Sequence, residues 1–118
     1  MDYILKPISK CILTVFNTGK IQVERILLFG SRAKGTQNRN SDFDILVITS
    51  DNLGRTQKSA IAKKIRIGLA KIYLKHKILS GTDIIIRSIS ESDEFRTRGD
   101  TVTAQALNEG KTIWPLKM

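Results

Sequence analysis

Apolar residues near the start of the chain recur at helical spacing. Ile8, Cys11, Ile12, Val15 and Phe16 share one face, and Pro7 suits a first helical turn because its missing N–H has no intrahelical partner there. This pattern predicts a helix ended by Asn17-Thr18-Gly19, with Gly19 in the left-handed conformation that closes helices. Three apolar runs without alternation follow, at 25–29, 42–49 and 83–89, as expected of strands covered on both faces. Between the second and third, Ile61, Ile65, Leu69 and Ile72 form one stripe of a long helix over 56–77, with Lys64, Lys71 and Lys75 on its flank. A helical turn at 91–95, a helix at 102–108 ended by Gly110, and an edge strand at 112–114 closed by Pro115 complete the pattern. The alternation of strands and helices predicts an α/β domain, a small mixed sheet flanked by helices, filling residues 1–118 as one domain.

Composition narrows the chemistry. The 118 residues are 41% hydrophobic and 26% charged, which predicts a folded chain with a core large enough to need no staple. One cysteine, Cys11, allows no internal disulfide, and one histidine, His76, allows no Cys/His zinc site, so any metal must be held by oxygen. No apolar run exceeds the four residues of Ile26-Leu27-Leu28-Phe29, far short of a membrane span, and a cytoplasmic location is expected. The net charge of +9 favours acidic partners. No acidic residue lies between Asp51 and Asp83, whereas Arg55, Lys58, Lys63, Lys64, Arg66, Lys71, Lys75 and Lys77 do. Such a basic helix attracts RNA or an acidic protein, or simply keeps the fold in solution. Without interleaved aromatic residues to stack bases, nucleic acid is not the favoured partner.

Candidate chemistry gathers at the strand ends. Gly30-Ser31-Arg32-Ala33-Lys34-Gly35 follows the first strand as a turn that lets the backbone approach a phosphate, with Arg32 and Lys34 available to steer a triphosphate. Ser41-Asp42-Phe43-Asp44 opens the second strand, where alternation aims Asp42 and Asp44 at one face, close enough to share divalent cations. Asp83 opens the third strand and joins them if the two strands are neighbours. Three carboxylates facing a phosphate-binding turn describe metal-assisted phosphoryl transfer. Asp51, Asp93, Glu94 and Asp100 fall in expected turns or helix starts and need no catalytic role, and Phe29 and Trp114 read as core.

Together these features resemble the nucleotidyltransferase superfamily that includes DNA polymerase β. More narrowly, the block from Gly30 to Val47, with Gly-Ser-Arg-Ala-Lys-Gly, five residues, then Ser-Asp-Phe-Asp-Ile-Leu-Val, is similar to the minimal nucleotidyltransferases. Lys34 stands where an arginine is common, keeping the charge without the guanidinium fork. The resemblance implies the polymerase β-like catalytic fold, with Gly30 and Ser31 holding the β- and γ-phosphates of ATP. It implies that Asp42 and Asp44 ligate two Mg²⁺ ions, replaceable by Mn²⁺, and that Asp83 binds the catalytic ion and helps deprotonate the incoming hydroxyl. It further implies a HEPN-type helical toxin as partner, with AMP transferred to its tyrosine so that this chain acts as antitoxin. Two other readings are open at this point: a binding module that masks its partner with nucleotide binding incidental, and a small-molecule or RNA nucleotidyltransferase. Three converging carboxylates favour an enzyme, and a chain of this length is expected to take its acceptor surface largely from elsewhere.

Overall fold

Non-alternating strands need a layer of helices on each side, and the computed structural model, which describes residues 2–38, 41–98 and 101–116, has that arrangement. Asp100 lies outside the described residues, as do Arg39 and Asn40 of the Gly30–Val47 block. After a 3-10 turn at Asp2–Ile4 the order is α1 (Leu5–Thr18), β1 (Val23–Phe29), α2 (Ser31–Lys34), β2 (Phe43–Thr49), α3 (Arg55–Lys75), β3 (Thr82–Ser88), α4 (Ile89–Arg96), α5 (Val102–Glu109) and β4 (Lys111–Trp114). The sheet order is β3-β2-β1-β4. β1 runs antiparallel to β2 and β4, while β2 and β3 are parallel. The sheet is mixed, as the sequence predicts.

Successive residues of β1 and β2 enter different layers. Ile26, Leu28, Ile45 and Val47 pack with Ile8, Ile12 and Phe16 of α1 and Ile61, Ile65 and Leu69 of α3. Leu27, Phe29, Leu46 and Ile48 form a smaller cluster with Ala106 of α5. The third strand departs from expectation: β3 is an edge strand, and Ile84 and Ile85 are only half-buried. Its isoleucine run reads like that of a central strand because burial from above and below is independent of whether a second neighbour pairs.

Helix ends differ from the sequence reading in one consistent way. Gly19 is not left-handed (φ −85°); Lys20 takes that conformation instead, at φ 58°. The Ile21 N–H donates to the Phe16 carbonyl at 3.0 Å and the Lys20 N–H to Asn17 at 3.0 Å, the paired bonds of a Schellman closure. α3 ends identically, with Lys77 at φ 57°, Ile78 N–H to Tyr73 at 2.8 Å and Lys77 N–H to Leu74 at 3.1 Å. Buried Ile21 and half-buried Ile78 follow the two lysines, so apolar docking of the next residue compensates a backbone conformation that lysine does not favour. The turn expected at 91–95 is a full helix, α4, opened by a capping box in which Ser88 Oγ accepts from the Glu91 N–H and Glu91 returns a bond to the Ser88 N–H. Lys58 of α3 bonds the same carboxylate at 2.9 Å. No helix among the described residues is long and apolar enough to cross a membrane.

Gly110 turns the chain from α5 into β4 in an extended conformation, with its N–H donating to the Ala106 carbonyl at 2.8 Å. A Cβ there would overlap that carbonyl oxygen and lie 3.3 Å from the Leu28 carbonyl oxygen, whereas a Cβ at Gly54 would meet nothing within 4 Å among the described residues. We expect Gly110→Ala to cost about 1–3 kcal/mol and Gly54→Ala to stay within about 0.5 kcal/mol of the original, as read by urea unfolding.

Candidate active site

Strand pairing gathers the candidate residues at one end of the sheet. β1 ends where its antiparallel partner β2 begins, which sets Phe29, the residue before Gly30, opposite Asp44. The parallel register of β2 with β3 sets Asp44 opposite Asp83. By the two-residue repeat of a strand, Asp44 shares a face with Leu46 and Ile48, and Asp83 with Ile85, so both carboxylates stand on the side of the smaller cluster. Asp42 lies one residue before β2, and its Oδ1 accepts the Gly81 N–H at 3.0 Å, tying the entrances of β2 and β3 together.

Gly30 meets two constraints at once. Its φ of 74° belongs to the region that favours glycine. A Cβ on it would overlap Asp44 Oδ2 and stand 3.2 Å from the Asp44 Cγ, so the backbone of the turn runs directly against this carboxylate. The Ala33 and Lys34 N–H groups both donate to the Gly30 carbonyl at 3.2 Å, winding the chain into α2, where Ser31 is half-buried. A phosphate approaching this turn would therefore also approach Asp44.

The carboxylates repel one another. Burial pushes the Asp44 carboxyl above its ordinary range, and the charge and hydrogen-bonding contact of Asp83 and the charge of Asp42 push it further. Among the described residues, no group of three or more His, Cys, Asp or Glu side chains is gathered closely enough to hold a metal ion. The arrangement is a close pair, Asp44 and Asp83, with Asp42 held aside by Gly81. An all-oxygen set under mutual repulsion suits a hard dication that draws its remaining ligands from water and phosphate.

The two basic residues of the turn part company. Arg32 is only 8% exposed and its guanidinium lies 4.0 Å from the Phe43 ring centroid. Its Nε donates to the Ser41 carbonyl at 2.8 Å and one terminal nitrogen to Ser80 Oγ at 3.0 Å, while the other, Nη1, is buried without a partner among the described residues. Burial pulls its pKa down, opposed by Tyr73 and Asp42. Lys34 is half-exposed and pairs with Glu109 at 3.1 Å. Sequence reasoning had no signal for the support beneath the site: Phe43 stacks on Tyr73 at 4.9 Å, and the Tyr73 hydroxyl bonds Thr82 at 2.6 Å. Burial pushes the Tyr73 hydroxyl up to about 12, so it stays protonated.

The raised Asp44 carboxyl carries a sign. Between its unfolded pKa and its higher folded value the native state binds more protons than the unfolded chain, so stability falls as pH rises through that window and stays lower above it. Asp44→Asn should therefore melt at a higher temperature than the original at neutral pH in chelator, and the gap should close below about pH 4. Thermal melts across that range check it. Arg32→Leu should lower stability by about 2–4 kcal/mol by leaving the Ser41 carbonyl and Ser80 without their donor. Arg32→Lys should recover only part, since one ammonium does not reproduce the fork; urea midpoints read both.

Residues 10–109 match the model of the nucleotidyltransferase domain family. The chain is 31% identical over 98 residues, 83% of its length, to the protein adenylyltransferase MntA of Shewanella oneidensis, and it spans 57% of that relative. A relative from Methanocaldococcus jannaschii, provisionally described as a protein adenylyltransferase, is 32% identical over 99 residues, covering 81% of this chain and 92% of the relative. A crystal structure of a toxin-antitoxin with AMP-PNP superposes with a TM-score of 0.54 at 27% identity, covering 92% of this chain and 73% of that one. The family match takes in the Gly30 turn and all three aspartates, and the chain belongs to the nucleotidyltransferase domain family.

Proposed function

We propose that this chain is a metal-dependent adenylyltransferase that moves AMP from ATP to a hydroxyl of a protein partner, a tyrosine of a HEPN-type toxin, and so acts as antitoxin. One observation carries the reading: Asp44 stands in register with Asp83 on one side and against the Gly30 backbone on the other. Two relatives named as protein adenylyltransferases and a similar toxin-antitoxin structure with AMP-PNP support it.

In this reading Gly30 and Ser31 would hold the β- and γ-phosphates, Asp44 and Asp83 would hold Mg²⁺, or Mn²⁺ in its place, and Asp42 would join them for a second ion on leaving its bond to the Gly81 N–H. When bound, the ions stabilise charge on the transferring phosphoryl group and on the leaving pyrophosphate. The acceptor oxygen bonds to the α-phosphorus as the bond from that phosphorus to the β-phosphate bridge breaks, and Asp83 takes the hydroxyl proton. Lys34, half-exposed, is the basic residue within the turn that is open to a triphosphate. Arg32 is turned inward and acts by fixing the turn to the approaches of β2 and β3.

ATP affinity is expected to require the dication, because a triphosphate would otherwise meet clustered carboxylates. Titration calorimetry with Mg²⁺ and with EDTA tests this, and equal affinity in both would remove the metal assignment. Asp44→Asn should lower AMP transfer by about a hundredfold or more while the fold survives. Labelled ATP, Mg²⁺ and the HEPN-type protein are incubated, and added AMP is located by mass spectrometry. A partner that is bound and silenced without gaining mass would overturn the transferase reading.

A further inference from the structure

The long helix α3 presents two unlike faces. Ile61, Ala62, Ile65, Leu69 and Tyr73 are buried against the sheet and α1. On the opposite side Ala60, Ile67 and Leu74 recur every seven residues with Ala70 between them, all exposed, with Ile67 at 52% and Leu74 at 74%. Helical spacing brings them into one stripe. Lys71 and Lys75 border it on one side and Arg66 on the other, and Lys63 lies within it. None of these four cations forms an ion pair among the described residues; the only α3 cation that does is Lys58, which pairs with Glu91 away from the stripe. The segment between Asp51 and Asp83 carries eight of the twenty basic residues and none of the eleven acidic ones, so it holds eight of the net nine charges.

The stripe also has a direction. Because β2 and β3 are parallel, α3 must run back from the far end of the sheet to the end where both strands begin. Its last turn, followed by Leu79 at 77% exposure, therefore arrives beside Gly81 and the aspartates.

We infer that the outer face of α3 is a docking surface for a carboxylate-rich amphipathic helix of the acceptor protein. This deepens the adenylyltransferase reading and rests on it for the acceptor's identity. An aliphatic stripe bordered by unpaired cations complements a helix with an apolar seam and acidic flanks. A second copy of this chain does not fit, because two such faces repel. Exposed isoleucine and leucine without aromatic residues suit a protein seam better than a nucleic acid.

The test compares the intact chain with Ile67→Asp/Leu74→Asp and with Lys63→Glu/Lys71→Glu/Lys75→Glu, none of them at the catalytic end's ligands. The HEPN-type protein is the probe, with a short single-stranded RNA as the second arm. The unaltered chain should bind the HEPN-type protein more weakly as salt rises. Each variant should lose about tenfold or more of that affinity while ATP affinity in Mg²⁺ is unchanged. Variants that bind it within twofold of the original, no binding by the unaltered chain, or loss of RNA affinity alone would each overturn the docking surface. The two readings separate cleanly. Loss of binding in the variants with no AMP on the partner in the unaltered complex keeps the surface and removes the transferase. AMP transfer that survives both variants does the reverse.

Discussion

The parallel, in-register pairing of β2 with β3 is the constraint on which the rest depends. Two parallel strands cannot be joined by a tight turn, so the chain must leave the far end of β2 and return through a crossover long enough to span the sheet. α3 is that crossover, and its length and buried stripe follow from the need to cover the strands it connects. The same pairing decides the site. With Phe43 opposite Thr82 and Asp44 opposite Asp83, a slip of one residue would turn one carboxylate toward the Phe43 and Tyr73 side of the sheet. The stacked rings and the Tyr73–Thr82 hydrogen bond oppose that slip from beneath.

Arg32 extends this logic to a third segment. It belongs to the turn after β1, yet it bonds the approach to β2 through Ser41 and the approach to β3 through Ser80. A buried cation with one nitrogen unpartnered among the described residues is costly, and removing it would leave acceptors from two other segments unsatisfied. What the arrangement provides is a common origin for three loops, two of which lead directly into the aspartates. Few side chains other than arginine could do this, since it needs several donors in a rigid fork and a flat face for the Phe43 ring.

Most of this architecture is legible in the sequence because each strand carries its own signature: runs of apolar residues broken by Gly30, by Asp42 and by Gly81-Thr82-Asp83. The glycine-serine turn and the aspartates are visible because their spacing is local. What stays hidden depends on partners distant in sequence. Arg32 reads like any basic residue of an exposed turn until Ser41, Phe43 and Ser80 surround it, and nothing near Tyr73 announces Thr82. The left-handed lysines are hidden for a similar reason, since the apolar docking of Ile21 and Ile78 outweighs a local preference that points to glycine. The α4 capping box is a different case: Ser88-x-x-Glu91 is a recognisable signal, obscured because the apolar run of β3 continues into Ile89, the first residue of the helix.

The two helical layers are unequal, and the inequality suits the chemistry. The α1 and α3 side supplies a dense core of isoleucine, leucine and phenylalanine, while the other side is covered by two eight-residue helices that bury only small residues, Ser92 from α4 and Thr103, Ala104 and Ala106 from α5. Asp44 and Asp83 stand on the thin side. Carboxylates that repel one another cannot be covered deeply without greater desolvation, and a triphosphate needs room to enter. Concentrating apolar burial on one face lets the chain keep its fold while the opposite face carries charges that oppose it. The thick layer is not inert in this division, because α3 ends where the strands bearing those charges begin.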